Sequence, residues 1–152
     1  MSKSLSLKAK DLCNALDIER HQLRVWVEVI PLFSRQKTKE RSATQYKMTD
    51  LFFFAVVKHI HQNFGVPISF IANFSDLLYA CIIKAEGNKK SSFVFISKGG
   101  SDCRLVELGE LCDEGMVVSL QPARKLLFSY LGLSFEHSQM ALNLMEDTTN
   151  DH

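Results

Sequence analysis

The chain has 152 residues, of which 46% are hydrophobic and 23% charged, and this suits one average domain or two very small ones. No hydrophobic stretch approaches the about 20 residues that cross a bilayer, and the N-terminus lacks the apolar core of a signal peptide, so we expect a cytoplasmic protein. The net charge of +1 is unevenly divided: residues 1–90 carry 14 basic and 8 acidic side chains, net +6, and residues 91–152 carry 4 and 9, net −5. Such an asymmetry is expected when one part of a protein binds a polyanion.

The first predicted helix is amphipathic, because its apolar residues recur at helical spacing: Ala9, Leu12, Cys13 and Leu16. A tight turn is predicted at Asp17-Ile18-Glu19, since Asp tolerates a left-handed backbone and Ile18 can fill the space between two crossing helices. The second predicted helix has the same apolar spacing at Leu23, Trp26, Val27 and Ile30. It should end by Val29, because Pro31 disfavours helical geometry at the preceding residue.

The exposed side of this second helix carries four polar residues: Arg20, His21, Gln22 and Arg24. A helix that enters the major groove must present donors and acceptors to phosphates and base edges, and arginine is the commonest specific reader of guanine. We therefore predict that these four side chains face DNA. The alternative is a solvated helix face on which the arginines pair with Glu19 or Glu28.

A basic segment over Ser34 to Lys47 follows the second helix, and it contains one acid and no large aliphatic side chain. Such a segment cannot bury itself, so we predict a loop beside the recognition helix. A cationic loop in that place reaches the phosphate backbone or the minor groove. The predicted backbone contacts are Arg35, Lys37, Lys39 and Arg41, and the alternative is an ordinary solvated loop.

The segment Leu7 to Ile71 resembles the DNA-binding domain of MerR-type transcriptional regulators. The matching residues, in the order and spacing of that family, are Leu23-Arg24 with Trp26, Tyr46 with Asp50-Leu51, and Gly65-Val66-Pro67-Ile68 leading to Ile71. The resemblance implies a winged helix-turn-helix in which Arg24 and the cations of the basic segment touch DNA. It also implies that Trp26 lies at the base of the recognition helix and that Tyr46 anchors the wing onto the body or a phosphate.

Two further helices are predicted before the chain becomes polar at Lys84 to Ser91. The third should begin with Thr49 as its N-cap and end at Gly65, with a largely buried stripe of Phe53, Val56, Val57, Ile60 and Phe64. The fourth should run from Pro67 to about Ile82 and either complete the winged domain or form a subunit contact. His59 and His61 lie two residues apart on a helix and cannot share one metal ion.

The acidic C-terminal half has a different periodicity. A β-hairpin is predicted from the strands Ser92 to Ser97 and Cys103 to Leu108, joined by the glycine turn at Gly99-Gly100. A third strand at Met116 to Leu120, a helix opened by Pro122 and a last helix from Phe135 to Met145 could follow. So small a core should dock on the fourth helix or on another subunit, and dimerisation is its favoured use.

Four cysteines stand at wide, irregular spacings without a C-x-x-C pair: Cys13, Cys81, Cys103 and Cys112. We predict buried free thiols, and neither a metal site nor a cofactor. The predicted fold class is α+β, with a MerR-like winged helix-turn-helix domain over residues 1–84. Residues 91–146 are predicted to form a small β-hairpin or meander with a helix, which serves oligomerisation or effector binding. Residues 147–152 are predicted to be a disordered tail.

Our leading hypothesis is a noncatalytic, sequence-specific transcriptional regulator, associated with the nucleoid, that binds double-stranded DNA as a homodimer or larger assembly. One alternative is an architectural or excisionase-like DNA-binding protein of a mobile element. Another is an interaction module in which the helix-turn-helix is only a scaffold and the acidic half recruits a protein partner. An enzyme ranks third, because the sequence offers no convergent nucleophile, acid pair or metal cluster.

Overall fold

The computed structural model describes residues 6–37, 45–88, 90–107, 109–110 and 113–132. Within them the protein is α+β, with seven helices and one three-stranded antiparallel sheet. Several predictions lie outside the described residues: the wing cations Lys39 and Arg41, the side chain of Lys37, the thiol of Cys112, the last helix Phe135 to Met145 and the tail over 147–152.

Six helices come first: α1 (Ala9–Leu16), α2 (Arg20–Val29), α3 (Pro31–Lys37), α4 (Met48–Phe64), α5 (Ile68–Asn73) and α6 (Ser75–Gly87). The predicted turn between α1 and α2 is confirmed, since Asp17 adopts the left-handed conformation with φ 57°. The predicted end of α4 is confirmed as well, because Gly65 has φ 67° and closes the helix as a left-handed cap.

Three of these helices begin with the same hydrogen bond. The backbone N–H of the N-cap residue donates to the side chain three positions later, from Lys8 to Asp11 at 2.9 Å and from Lys47 to Asp50 at 2.8 Å. At the start of α2 the N–H of Glu19 donates to Gln22 Oε1 at 3.0 Å. The prediction of Thr49 as the cap of α4 is wrong: Lys47 occupies that position, and the hydroxyl of Thr49 donates instead to Glu86 Oε1 at 2.7 Å.

An isolated antiparallel bridge joins the residues that precede α1 and α4. Leu7 and Tyr46 exchange both backbone hydrogen bonds, at 2.8 and 2.7 Å. The two residues open similar segments, Leu7-Lys8-Ala9-Lys10-Asp11-Leu12 and Tyr46-Lys47-Met48-Thr49-Asp50-Leu51, so one local design starts both helices. The base of the predicted wing is therefore fixed to the start of the chain.

Two helix predictions need correction. The segment from Ser34 is not a loop throughout, because α3 extends to Lys37 and carries Arg35. Pro31 ends α2 but also fits the first turn of a helix, and the buried ring of Phe33 anchors α3 to the core. The predicted fourth helix is two helices, α5 and α6, because Phe74 leaves helical geometry at φ −115° and ψ 15° while its ring stays buried.

The sheet consists of β1 (Phe93–Ser97), β2 (Cys103–Val106) and β3 (Gly115–Ser119), in the order β2-β1-β3. The predicted hairpin is confirmed, with Gly99 and Gly100 at φ 87° and 77° in the turn. A meander is not formed, because β3 pairs with the free edge of β1 and not with β2. A seventh α-helix, α7, is described over residues 121–132 and begins one residue before Pro122.

One hydrophobic core connects the helices to the sheet. At its centre lies α4, with Phe53 and Phe54 fully buried, and the sheet adds Val94, Ile96 and Val118 to the same cluster. The sheet docks on α6, one of the two arrangements that its small size predicted. Among the described residues, no helix combines the length and apolar character needed to span a membrane.

Candidate nucleic-acid interface

The inner face of α2 is held rigidly in the core. Leu23, Trp26 and Val27 are buried, and the indole of Trp26 is 3% exposed. Its ring stacks on Phe54 with centroids 6.4 Å apart and meets the edge of His61 at 6.3 Å. The buried ring of Trp26 fixes how α2 is rotated about its axis.

The outer face of α2 is mixed in character. Arg20, His21 and Arg24 are exposed as predicted. Since successive residues of an α-helix are turned by about 100°, His21 points most directly away from the buried face, with Glu28 and Val25 on either side of it. Arg20 and Arg24 lie on one flank, whereas Val25 and Val29, 38% and 37% exposed, lie on the other. In the sequence analysis we did not separate these two flanks, although the helical spacing of the same residues would have been enough to do so.

Gln22 differs from the other three residues that were predicted to face DNA, because its side chain is engaged within the protein. Its Oε1 accepts the hydrogen bond from the backbone N–H of Glu19 at the start of α2, and the residue is half-buried. The side-chain oxygen therefore satisfies a donor that the helix terminus would otherwise leave unpaired. Reading a base through this atom would require the helix to give up its own cap.

Arg20, on the arginine flank of α2, lies near Cys13 of α1 and Tyr46 of the bridge. Burial raises the pKa of the Cys13 thiol on α1, and the nearby Arg20 guanidinium acts in the opposite direction. Burial also raises the pKa of the Tyr46 phenol, electrostatic interactions with Asp50 and Cys13 raise it further, and Arg20 again opposes them. Arg20 thus lies close enough to both residues for their electrostatics to be coupled.

Two further cations lie beside the Leu7–Tyr46 bridge, at the base of the predicted wing. Lys8 and Lys47 are exposed, and each directly follows one residue of the bridge. Lys8 was not among the predicted DNA contacts, whereas Lys47 belongs to the basic segment whose cations the resemblance implied would touch DNA. The similarity between the segments that begin at Leu7 and Tyr46 is the sequence signal that could have brought these two lysines together.

Tyr46 is 5% exposed, and its ring packs against Phe33 and Phe54 with centroids 6.2 Å away in both cases. The ring of Tyr46 therefore packs into the body of the fold, while residues 38–44 of the predicted wing lie outside the described residues. Arg35 is exposed on α3, where its Nη2 lies 3.9 Å from Asp76 Oδ1 of α6. Both side chains are well exposed, so this ion pair stabilises the fold only weakly.

His59, His61 and the described cysteines make contacts within the fold. His61 Nδ1 donates to the carbonyl of Val66 at 2.7 Å, and His59 Nδ1 accepts a hydrogen bond from the Asn63 amide at 2.6 Å. Cys13, Cys81 and Cys103 are free and buried, which confirms the prediction for three of the four cysteines. No group of metal-binding side chains occurs among the described residues.

Comparison with protein-family models, with curated proteins and with solved structures found no match to this chain. The candidate interface is therefore defined only by the positions of its residues in this structure. It consists of Arg20, His21 and Arg24 on α2 with Lys8 and Lys47 at the bridge, next to the predicted wing.

Proposed function

We propose that this protein is a sequence-specific, DNA-binding transcriptional regulator with a MerR-like winged helix-turn-helix. In this proposal α2 enters the major groove, and the basic segment after it contacts the phosphate backbone. The observation that carries the proposal is the fixed presentation of α2: Trp26 secures its inner face while Arg20, His21 and Arg24 are exposed on the outside.

The charges around α2 support contact with a polyanion. Lys8 and Lys47 are exposed beside the Leu7–Tyr46 bridge, and Arg20 of α2 is close enough to Tyr46 to affect its electrostatics, so we treat these cations as parts of one basic surface. Each phosphate that such cations neutralise releases condensed counterions from the duplex, which favours binding whatever the base sequence. Contacts from Arg24 or His21 to base edges would then supply specificity.

The test selects bound duplexes from a random pool with the full-length protein at two salt concentrations, and then measures affinity and solution mass. We expect an enriched sequence, affinity that falls steeply with salt, and weaker binding by Arg24→Ala. Lys98→Ala is the matched control, since Lys98 is an exposed cation whose partner is Glu114, 3.7 Å away in the acidic half. Binding that is absent at low salt, or equally weakened by both variants, would contradict the proposal.

The same selection distinguishes two kinds of DNA-binding protein. A palindromic site and a dimeric mass are expected for a regulator whose two-fold symmetry matches its operator. Tandem sites with larger masses would instead identify an architectural, excisionase-like protein that assembles side by side on DNA.

The outer face of α2 also favours a second candidate, a protein-interaction module. Val25 and Val29 expose apolar surface one helical turn apart, and the carboxylate of Glu28 lies beside them, where it would repel phosphate. For such a module, Val25→Ser would weaken partner binding while Arg24→Ala would have little effect. A DNA-binding helix should show the reverse order.

A further inference from the structure

A cleft of about 880 Å³ lies between α7 and the pair formed by α4 and α6. The buried ring of Phe52 on α4 and the buried Ala85 on α6 form its floor, and Leu127 and Leu131 of α7 form a wall. Small-molecule sites in proteins are mostly apolar clefts of about 300–1,000 Å³ with a few polar groups that orient the ligand. The cleft has this size and this character.

Three charged side chains line the cleft, and two of them have partners within the protein. Arg124 lies over the ring of Phe52, 5.9 Å from its centroid, and its Nη2 donates to the carbonyls of Ala85 at 3.1 Å and Asn88 at 3.4 Å. The carboxylate of Glu86 accepts the hydrogen bond from Thr49. Both groups are therefore held in place by other parts of the fold.

Lys125 is the exception among these charged groups. It is exposed on α7, and among the described residues it forms neither a hydrogen bond nor an ion pair. Beside it, Phe128 is 79% exposed at the rim of the cleft, where so large an apolar ring is costly in water. An unpaired cation next to uncovered apolar surface is complementary to a molecule that combines an anionic group with an apolar body.

We infer that this cleft binds a small amphipathic anion. The aromatic or aliphatic body of the ligand would lie on Phe52 and Leu127 beneath the ring of Phe128, and its carboxylate, sulfonate or phosphate would pair with Lys125. This inference does not depend on DNA binding, because none of these residues belongs to the candidate nucleic-acid interface.

Two fluorescent probes with the same apolar body test the inference on the full-length protein. The anion is 8-anilinonaphthalene-1-sulfonate, and its neutral counterpart is N-phenyl-1-naphthylamine. We expect one anionic probe per chain, and Lys125→Gln should weaken its affinity by about two- to fivefold without changing that of the neutral probe. Phe128→Ser should weaken both, and the control Lys98→Gln should affect neither; all three residues are exposed, so the variants should fold.

The location and the alternatives are tested in the same samples. Amide shifts in nuclear magnetic resonance spectra should change on titration at Ala85, Leu127 and Ser129, which line the cleft. The inference is wrong if the anionic probe binds Lys125→Gln as tightly as the wild type, or if its signals map elsewhere. It is equally wrong if Phe128→Ser lowers the solution mass and leaves probe binding unchanged, because the cleft would then be an interface between copies of the chain.

Discussion

Asp50 shows how much one buried side chain contributes to this fold. The residue is 8% exposed, and both of its carboxylate oxygens accept short hydrogen bonds, from the Lys47 backbone N–H at 2.8 Å and from the Tyr79 hydroxyl at 2.6 Å. One bond caps α4 and the other connects α4 to α6. A buried carboxylate is stable only with such partners, so the removal of either bond should be costly.

Tyr79→Phe should lower the free energy of unfolding by about 1–3 kcal/mol at pH 7, because it removes a hydrogen bond to a charged acceptor. Burial raises the pKa of Tyr79 well above its usual value, and the hydrogen bond to Asp50 and the charges of Asp50 and Glu86 raise it further. The folded state therefore keeps this proton at pH values where the unfolded chain releases it, and the stability due to Tyr79 is lost as the pH rises above about 10.

Urea unfolding of the wild type and of Tyr79→Phe at pH 7, 9 and 10.5 checks this prediction. The stability difference should be constant up to about pH 9 and shrink at pH 10.5, and the comparison cancels the titration of the other tyrosines. A difference that grows with pH would show that the Tyr79 hydroxyl does not act through Asp50.

Gly115 and Gly87 should respond in opposite ways to alanine. A Cβ at Gly115 would lie 2.3 Å from the carbonyl oxygen of Ile96 and 2.7 Å from the ring of Phe95, so backbone or ring must move. We expect Gly115→Ala to destabilise the protein by about 1–3 kcal/mol. Gly87, at the end of α6, has open space around it, and Gly87→Ala should be neutral or stabilising by up to about 1 kcal/mol. Thermal unfolding of both variants provides the comparison, and equal effects would contradict it.

At the scale of single elements, the sequence best predicts those helices and turns that one local sequence signal determines. The apolar spacing of α1 and α2, the left-handed Asp17 and the glycine turn of the hairpin are all local features, and the structure contains them. The start of α3 was missed because Pro31 ends one helix and begins the next, and the burial of Phe33 that favours α3 is a tertiary effect. The strand order was missed because pairing between distant strands leaves no periodic signal.

The candidate site was predictable to a similar extent. Helical spacing correctly placed Arg20, His21 and Arg24 on the exposed side of α2. The same spacing could not show that the Gln22 oxygen is occupied by the cap, nor that a bridge joins Leu7, before α1, to Tyr46, before α4. Both depend on contacts whose geometry only the folded backbone defines.

Arg24 and Glu28 carry opposite charges on the same exposed side of α2, so paired neutral substitutions test whether this helix meets phosphate. Arg24→Gln should weaken duplex binding, and it should reduce the slope of log affinity against log salt by about 0.9 if the arginine contacts one phosphate. Glu28→Gln should strengthen binding by roughly two- to fivefold at low salt, because it removes a repulsive charge. Fluorescence anisotropy with a labelled duplex measures both effects. Changes of the same sign in both variants would exclude α2 as the DNA-facing helix.

At the scale of the whole molecule, the basic and acidic halves are divided in charge but not in packing. The hydrophobic core runs from α1 through α4 and α6 into the sheet, and Cys81 Sγ on α6 donates to the carbonyl of Cys103 on β2 at 3.4 Å. A sheet of three short strands would be marginal alone, so its stability depends on this shared core. The two halves of the chain can therefore carry opposite net charges without folding independently of each other.

The shared core predicts that both halves unfold together, and two buried thiols can report on it. Cys13 lies in α1 and Cys103 in β2. The interaction with the Cys81 thiol and burial raise the pKa of Cys103, and burial raises the pKa of Cys13, so neither reacts readily as a thiolate in the folded state. Pulsed alkylation across a urea series, with mass spectrometry of the peptides, should give the same midpoint for both residues. If Cys103 becomes reactive at a clearly lower urea concentration than Cys13, the sheet opens as a separate unit and the core is not cooperative across the two halves.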